Sequence, residues 1–180
     1  ARFGVRVEYE GKGARSVRSP DREKFYKLNS IAQDYFRREL LSAPPDVRKY
    51  MESRALSAQA IDEFGVGYAP PESGKLIAHL RKTLNLNDES LLSSGLVRRS
   101  QRGDLYETFR GRLIFPIFVE RRRIAGFGGR IIPSIVPPEA LAAAPKYLNS
   151  PETPVYEKNK ILFGLPHALD AVRKQRELYL

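Results

Sequence analysis

The chain has 180 residues, 42% of them hydrophobic, which is enough apolar material for one sizeable domain or two small ones. It has no cysteine, which excludes disulfides and thiolate metal sites, and it has no apolar run near the roughly 18 residues that cross a membrane. A net charge of +10 and a pI of about 9.9 favour nucleic acid as the partner, with an anionic membrane, an acidic protein and simple solubility as the alternatives.

The first hundred residues predict helices. A long amphipathic helix follows Ser19 as N-cap and Pro20 in its first turn, with its core positions at helical spacing: Phe25, Leu28, Ala32, Tyr35 and Phe36. Pro44 and Pro45 end this helix and begin a second one, "PDVRKYMESR". Ser57 is a predicted N-cap for a short third helix that ends before Gly65.

Two more helices are predicted in "SGKLIAHLRKTL" and "NDESLLSSGLV", the second closed by Gly95. The helices between residues 45 and 64 suggest a DNA-binding helix-turn-helix as an alternative. Asp62 and Glu63 make that reading less favourable, because a short acidic helix is poorly suited to a major groove.

The pattern changes after residue 110. Leu113–Val119 and Ile124–Ile132 predict an antiparallel hairpin, in which Pro116 indicates an edge strand or a bulge. A proline- and alanine-rich loop follows over residues 133–145, then the loop "PKYLNSPET", and a helix from about Leu165. The predicted fold class is therefore α+β: a helical N-terminal half, then a small mixed or antiparallel sheet with loops and a C-terminal helix.

Positive charge is concentrated in this second half. Between Arg98 and Arg130 there are nine arginines against three acidic residues, Asp104, Glu107 and Glu120. Arg110 and Arg112 are two residues apart, so on a strand they would share one face. The glycines of "GFGGR" before Arg130 predict either a close approach of a nucleotide or the tight packing of a twisted strand.

Three adjacent polar residues stand out in "PKYLNS". Lys146 suits a phosphate, Tyr147 suits stacking on a base or sugar, and Asn149 suits a base edge. A purely structural loop is the alternative reading. The sequence shows no metal cage, no phosphate-binding glycine loop and no catalytic triad, since its two histidines, His79 and His167, are far apart.

Four motifs together resemble one family, the bacterial replicative DNA primase of the DnaG type. They are "YMESRALSAQAIDEFGVGYAPP", "FRGRLIFPI", "IAGFGGR" and "PKYLNSPETPVYEKNKILFGL", and the resemblance extends from about Phe25 to Leu180. Such proteins make short RNA primers on single-stranded DNA during replication. The resemblance implies a DNA-directed RNA polymerase, that is a nucleotidyltransferase, located in the cytoplasm at the replication fork.

The resemblance also implies a domain division. Residues 1–18 would be a linker after a zinc-binding domain, residues 19–176 the N-terminal subdomain of the polymerase core, and residues 177–180 the first strand of a TOPRIM subdomain. No cofactor is expected in this chain. Magnesium or manganese would bind in the TOPRIM subdomain and zinc in the zinc-binding domain, so this chain alone is expected to be inactive.

The resemblance implies eight nucleic-acid- or nucleotide-binding residues and no catalytic or metal-binding ones: Arg54, Arg110, Arg112, Arg130, Lys146, Tyr147, Asn149 and Lys158. Single-stranded DNA template and nucleoside triphosphates would bind them, and the replicative helicase would bind a C-terminal domain. Where relatives often have His-Lys-Gly, this chain has Glu157, Lys158 and Asn159, so a nearby acid could weaken phosphate contact. No membrane partner is expected. A non-enzymatic module that binds single-stranded nucleic acid is the rival interpretation.

Overall fold

The structure is a computed structural model that describes residues 20–119, 122–161, 163, 164, 166 and 168. Across these residues it contains six α-helices, a four-stranded antiparallel sheet and a separate two-stranded hairpin. The α+β prediction is confirmed, because helices fill the first part of the described chain and the main hairpin follows them.

The helices match the amphipathic pattern. Their bounds are α1 Pro20–Leu41, α2 Pro45–Ser53, α3 Ala58–Glu63, α4 Lys75–Leu84, α5 Asp88–Ser93 and α6 Pro138–Ala143. The predicted cap at Ser57 is confirmed, since its hydroxyl accepts a hydrogen bond from the Ala60 N–H at 3.1 Å. The predicted cap at Ser19 lies outside the described residues. No described helix, including the 22-residue α1, carries an apolar stretch able to cross a membrane.

The strands form the sheet in the order β1-β4-β5-β6. Their bounds are β1 Gly67–Ala69, β2 Val97–Arg99, β3 Leu105–Glu107, β4 Arg112–Val119, β5 Arg123–Ile131 and β6 Tyr147–Asn149. The predicted hairpin is β4–β5. Pro116 is tolerated because β1 pairs only with residues 112–114 of β4, and a register shift follows between Ile117 and Phe118.

Helix α1 covers the sheet and forms the main core with it. Phe36 meets Phe127 edge to face, with ring centroids 5.4 Å apart, and Phe109 meets Phe127 in the same way at 6.3 Å. The buried amide of Asn29 donates to the carbonyls of Ile124 at 3.0 Å and Ala125 at 2.9 Å. These contacts fix the first half of β5 against α1.

Four short strands were not predicted from the sequence. β1, β2, β3 and β6 have three residues each, and none has a local pattern long enough to show alternation. The prediction of a loop was wrong for Tyr147–Asn149, which form an edge strand of the sheet. The segment 133–145 is likewise not plain loop, since it contains a 3₁₀ turn, Pro133–Ile135, and α6.

Three terminal predictions fall on undescribed residues. The linker 1–18 and the strand 177–180 lie outside the described residues, and so does most of the helix predicted from Leu165.

Candidate nucleic-acid interface

The pairing of β5 with β6 brings predicted site residues together. Arg130 lies opposite Tyr147 and Gly128 lies opposite Asn149. The Ile131 N–H donates to the Lys146 carbonyl at 3.1 Å, which extends this pairing to the residue before β6. Two sequence segments about fifteen residues apart therefore present Arg130, Lys146, Tyr147 and Asn149 on one ribbon.

Two tyrosine hydroxyls hold the guanidinium of Arg130. Its Nε donates to the hydroxyl of Tyr50 at 2.8 Å, and its Nη1 donates to the hydroxyl of Tyr147. Its Cζ also lies 4.9 Å from the centroid of the Tyr147 ring, in cation–π range. The hydrogen bond to Tyr50 raises the pKa of Arg130 above its ordinary value. The group is therefore a fixed positive charge on a partly exposed surface.

Two further cations lie on the same tyrosines. The Cζ of Arg54 is 5.2 Å from the centroid of the Tyr50 ring, and the Nζ of Lys146 is 5.8 Å from that of Tyr147. We call these five residues the cation–tyrosine cluster. Tyr147 is 60% exposed, so its ring remains open to a ligand. Within the part of the chain that the structure describes, no carboxylate forms an ion pair with any of the three cations.

Arg112 corrects the sequence prediction. Its side chain is 4% exposed, and burial lowers the pKa of its guanidinium below the ordinary value. Nη2 donates to the Pro145 carbonyl at 2.9 Å, and Nη1 donates to the carbonyls of Gly129 at 3.3 Å and Lys146 at 3.5 Å. Arg112 thus points into the protein and ties the segment before β6 to β5, instead of facing a phosphate.

The expectation that Arg110 and Arg112 share a strand face was also wrong. β4 begins at Arg112, and Arg110 lies before it, exposed, with its Cζ 5.1 Å from the centroid of the Tyr106 ring. Arg110 lines an open cleft of about 580 Å³ together with Arg102, Asp104 and neighbouring residues of the β2–β3 turn. Among the described residues, the aromatic partner of Arg110 is Tyr106, which does not belong to the cation–tyrosine cluster.

Lys158 and Asn149 are both exposed. The acid beside Lys158 does not pair with it, because Glu157 forms an ion pair with Lys160 at 2.5 Å. The backbone N–H of Lys158 donates to the Glu152 carboxylate at 3.0 Å, while its ammonium has no partner among the described residues. The structure therefore leaves the Lys158 cation available but does not bring it to the cation–tyrosine cluster.

The glycines of β5 serve packing inside the protein. A Cβ on Gly129 would lie 2.7 Å from Cδ1 of Phe109 and 3.0 Å from Cδ of Arg112. A Cβ on Gly126 would lie 3.1 Å from the side chain of Ser150. Of the two readings of "GFGGR", the structure supports tight packing at these two positions, since the space is already filled by the protein's own side chains.

Tyr50 is the site residue that the sequence analysis missed. It lies on α2, four residues before Arg54, and this i,i+4 spacing was the available signal for their contact. The link to Arg130 joins residues eighty positions apart and had no local signal.

The local excess of arginine is only partly available to a ligand. Arg99 forms an ion pair with Asp88 at 3.7 Å, Arg123 forms one with Glu23 at 2.8 Å, and Arg112 is buried. Among the described residues, no group of three or more histidine, cysteine or acidic side chains could hold a metal ion. Surface cations beside an exposed tyrosine ring suit the binding of an anionic, base-bearing polymer.

Comparison with known sequences matches the chain to DNA primases. Residues 35–169 match the family described as the DNA primase catalytic core, N-terminal domain. The chain is 38% identical to the DNA primase of Pseudomonas aeruginosa, covering 98% of this chain and 26% of that protein. It is 33% identical to the DNA primase of Salmonella typhimurium, covering 93% of this chain and 28% of that protein. The chain thus spans about a quarter of the length of these relatives.

Solved structures show the same fold. The RNA polymerase domain of Mycobacterium tuberculosis primase DnaG superposes with a TM-score of 0.74 at 29% identity, covering 86% of this chain and 48% of that chain. A DnaG primase catalytic domain bound to single-stranded DNA gives a TM-score of 0.68 at 34% identity, covering 83% of this chain and 46% of that chain. The chain therefore belongs to the family of bacterial DnaG-type primases, as the N-terminal part of their catalytic core.

Proposed function

We propose that this domain supplies the basic surface on which a DNA primase holds its single-stranded template and incoming nucleotides. The observation that carries the proposal is the convergence of Arg130 and Lys146 on the exposed ring of Tyr147, with no carboxylate paired to either cation in the described residues. Related solved structures include one bound to single-stranded DNA and one with a double-stranded oligomer that has a 6-nucleotide overhang.

The chemistry of the cluster suits a single strand. Cations neutralise phosphates, and an exposed tyrosine ring can stack on any base because every base has a π face. Asn149, on the same ribbon, would contact a base edge or the backbone. Arg110, Arg54 and Lys158 would extend the positive surface. Arg112 would act indirectly, by holding the segment that carries Lys146.

The proposal extends to the whole enzyme as the family implies it. The full protein would be a DNA-directed RNA polymerase that makes RNA primers at the replication fork in the cytoplasm and meets the replicative helicase through another domain. No cluster of the described residues fits magnesium or zinc. In this proposal those metals belong to neighbouring domains, residues 19–176 form one subdomain, and the residues here bind and orient substrates.

The rival to this proposal is a free-standing module that binds single-stranded nucleic acid. The family match favours a part of a primase, since a binding module has no reason to share the catalytic-core pattern over residues 35–169. The isolated chain is expected to make no primer on single-stranded DNA with nucleoside triphosphates and magnesium. Primer synthesis by this chain alone would contradict that expectation.

A salt titration tests the surface itself. We expect the 180-residue chain to bind a labelled oligothymidylate of about twelve nucleotides, with log K falling against log salt by about 0.7 per phosphate contact. Arg130→Ala and Lys146→Ala should each reduce that slope by about one contact, roughly 0.7.

Lys24→Ala is the matched control. Lys24 is 79% exposed and lies next to Glu23, which contacts Arg123 at the start of β5. Arg130 lies seven positions after Arg123 on this strand, a separation of about 23 Å. The control should keep the wild-type slope. Slopes unchanged in Arg130→Ala and Lys146→Ala, or no binding by the wild-type chain, would overturn the proposed function.

A further inference from the structure

Tyr50 connects two cations that come from different parts of the fold. Its hydroxyl accepts the hydrogen bond from Nε of Arg130 on β5, and its ring lies under the guanidinium of Arg54 at the end of α2. One uncharged side chain therefore contacts two of the three positive charges in the cation–tyrosine cluster.

The position of Tyr50 itself is fixed by packing. The residue is partly buried and packs against a core cluster that includes Val47, Met51, Tyr68 and Leu113. Its neighbours Val47 and Met51 on α2 are 0% and 9% exposed. Tyr50 thus packs against the core while its hydroxyl and its ring contact the two surface arginines.

The hydrogen bonds of Arg130 leave a defined part of its guanidinium open. Nε is occupied by Tyr50 and one N–H of Nη1 by Tyr147, so the donors left for a ligand are those on Nη2 and the second N–H of Nη1. A long flexible side chain held in this way loses less conformational freedom when it binds a phosphate.

We propose that Tyr50 is a positioning residue for this interface: it orients Arg130 through its hydroxyl and Arg54 through its ring, toward a phosphate-bearing strand. The inference rests on the proposed function. Tyr50 contributes no charge and needs no contact with the strand, so its effect passes entirely through the two arginines.

The two contacts can be separated by two substitutions. Tyr50→Phe removes the hydroxyl and keeps the ring, so it should release Arg130 alone. Tyr50→Leu removes both and should release Arg54 as well. We expect Tyr50→Phe to weaken oligothymidylate binding by roughly two- to tenfold, which corresponds to the net free-energy contribution of one hydrogen bond. Tyr50→Leu should weaken binding further.

Double-mutant cycles distinguish a positioning role of Tyr50 from a purely structural one. In the Arg130→Ala background, Tyr50→Phe should have no further effect on affinity, because the group it positions is gone. In the Arg54→Ala background, the difference between Tyr50→Leu and Tyr50→Phe should likewise disappear. Circular dichroism melting of each variant identifies those that fold like the wild type.

The outcomes separate the inference from the proposed function. If Arg130→Ala weakens binding while Tyr50→Phe does not, or if Tyr50→Phe has equal effects with and without Arg130, the positioning role is wrong and the proposed function stands. If Arg130→Ala leaves affinity and salt slope unchanged, the role of Tyr50 fails, and if Lys146→Ala leaves them unchanged as well, the proposed function fails with it.

Discussion

Two arginines at the same end of one hairpin have opposite surroundings. Arg112 opens β4 opposite Ile131, and Arg130 lies one position earlier on β5, opposite Leu113. Arg112 is 4% exposed and bonded to backbone carbonyls, whereas Arg130 is partly exposed and bonded to tyrosine hydroxyls. Neighbouring positions along a strand point to opposite faces of the sheet. Because Arg112 and Arg130 occupy neighbouring positions in the β4–β5 register, one lies on the interior face and the other on the surface face.

The difference shows why an excess of positive charge does not by itself define a binding surface. Arg112 has its donors committed to the backbone carbonyls of Gly129 and Pro145, so its charge serves the fold. Arg130 keeps part of its guanidinium open, so its charge can serve a ligand. We expect substitutions at the two sites to separate stability from binding.

The largest expected effect is at Arg112. Arg112→Ala removes a buried side chain and its hydrogen bonds to backbone carbonyls, and it leaves a cavity, so it should lower the free energy of unfolding by about 3 kcal/mol or more. Arg130→Ala should change it by no more than about 0.5–1 kcal/mol, because the site is at the surface. Urea unfolding followed by circular dichroism measures both. Equal midpoints for the two variants would contradict the claim that Arg112 stabilises the fold and Arg130 does not.

A smaller effect is expected at Gly129, which belongs to the interior side of the same ribbon. Gly129→Ala would place a Cβ 2.7 Å from the buried ring of Phe109 and 3.0 Å from Arg112, and should cost about 1–3 kcal/mol of unfolding free energy. Gly128→Ala is the matched control, since its Cβ would meet only Oδ1 of Asn149 at 3.3 Å and a carbonyl at 3.9 Å. Thermal melts in which Gly128→Ala is the less stable variant would contradict the close packing of Gly129 against Phe109 and Arg112.

The helices could be predicted because their signals are local. α1 buries Leu28, Ala32 and Phe36 at the spacing that the sequence shows, and α3 begins at the cap that Ser57 indicates. Each such element depends on residues within a few positions of one another. The β4–β5 hairpin was visible for the same reason, since two apolar runs flank a short charged turn.

The short strands and the state of each arginine could not be predicted because they depend on distant partners. β1 exists through pairing with β4 some forty-five residues later, and β6 through pairing with β5. The burial of Arg112 depends on the Pro145 carbonyl, which no local pattern connects to it. Residue patterns and the family resemblance together suggested the predicted interface residues, whereas the role of Tyr50 was found only in the structure.

The most direct test observes the two guanidinium groups during binding. In the 180-residue chain labelled with ¹⁵N, the Nε–Hε resonances of Arg130 and Arg112 can be followed as oligothymidylate is added, with Arg130→Lys confirming the first assignment. We predict that the Arg130 resonance shifts in a saturable way and that the Arg112 resonance stays in place. A stationary Arg130 resonance, or an equal shift at Arg112, would contradict a surface built on the cation–tyrosine cluster.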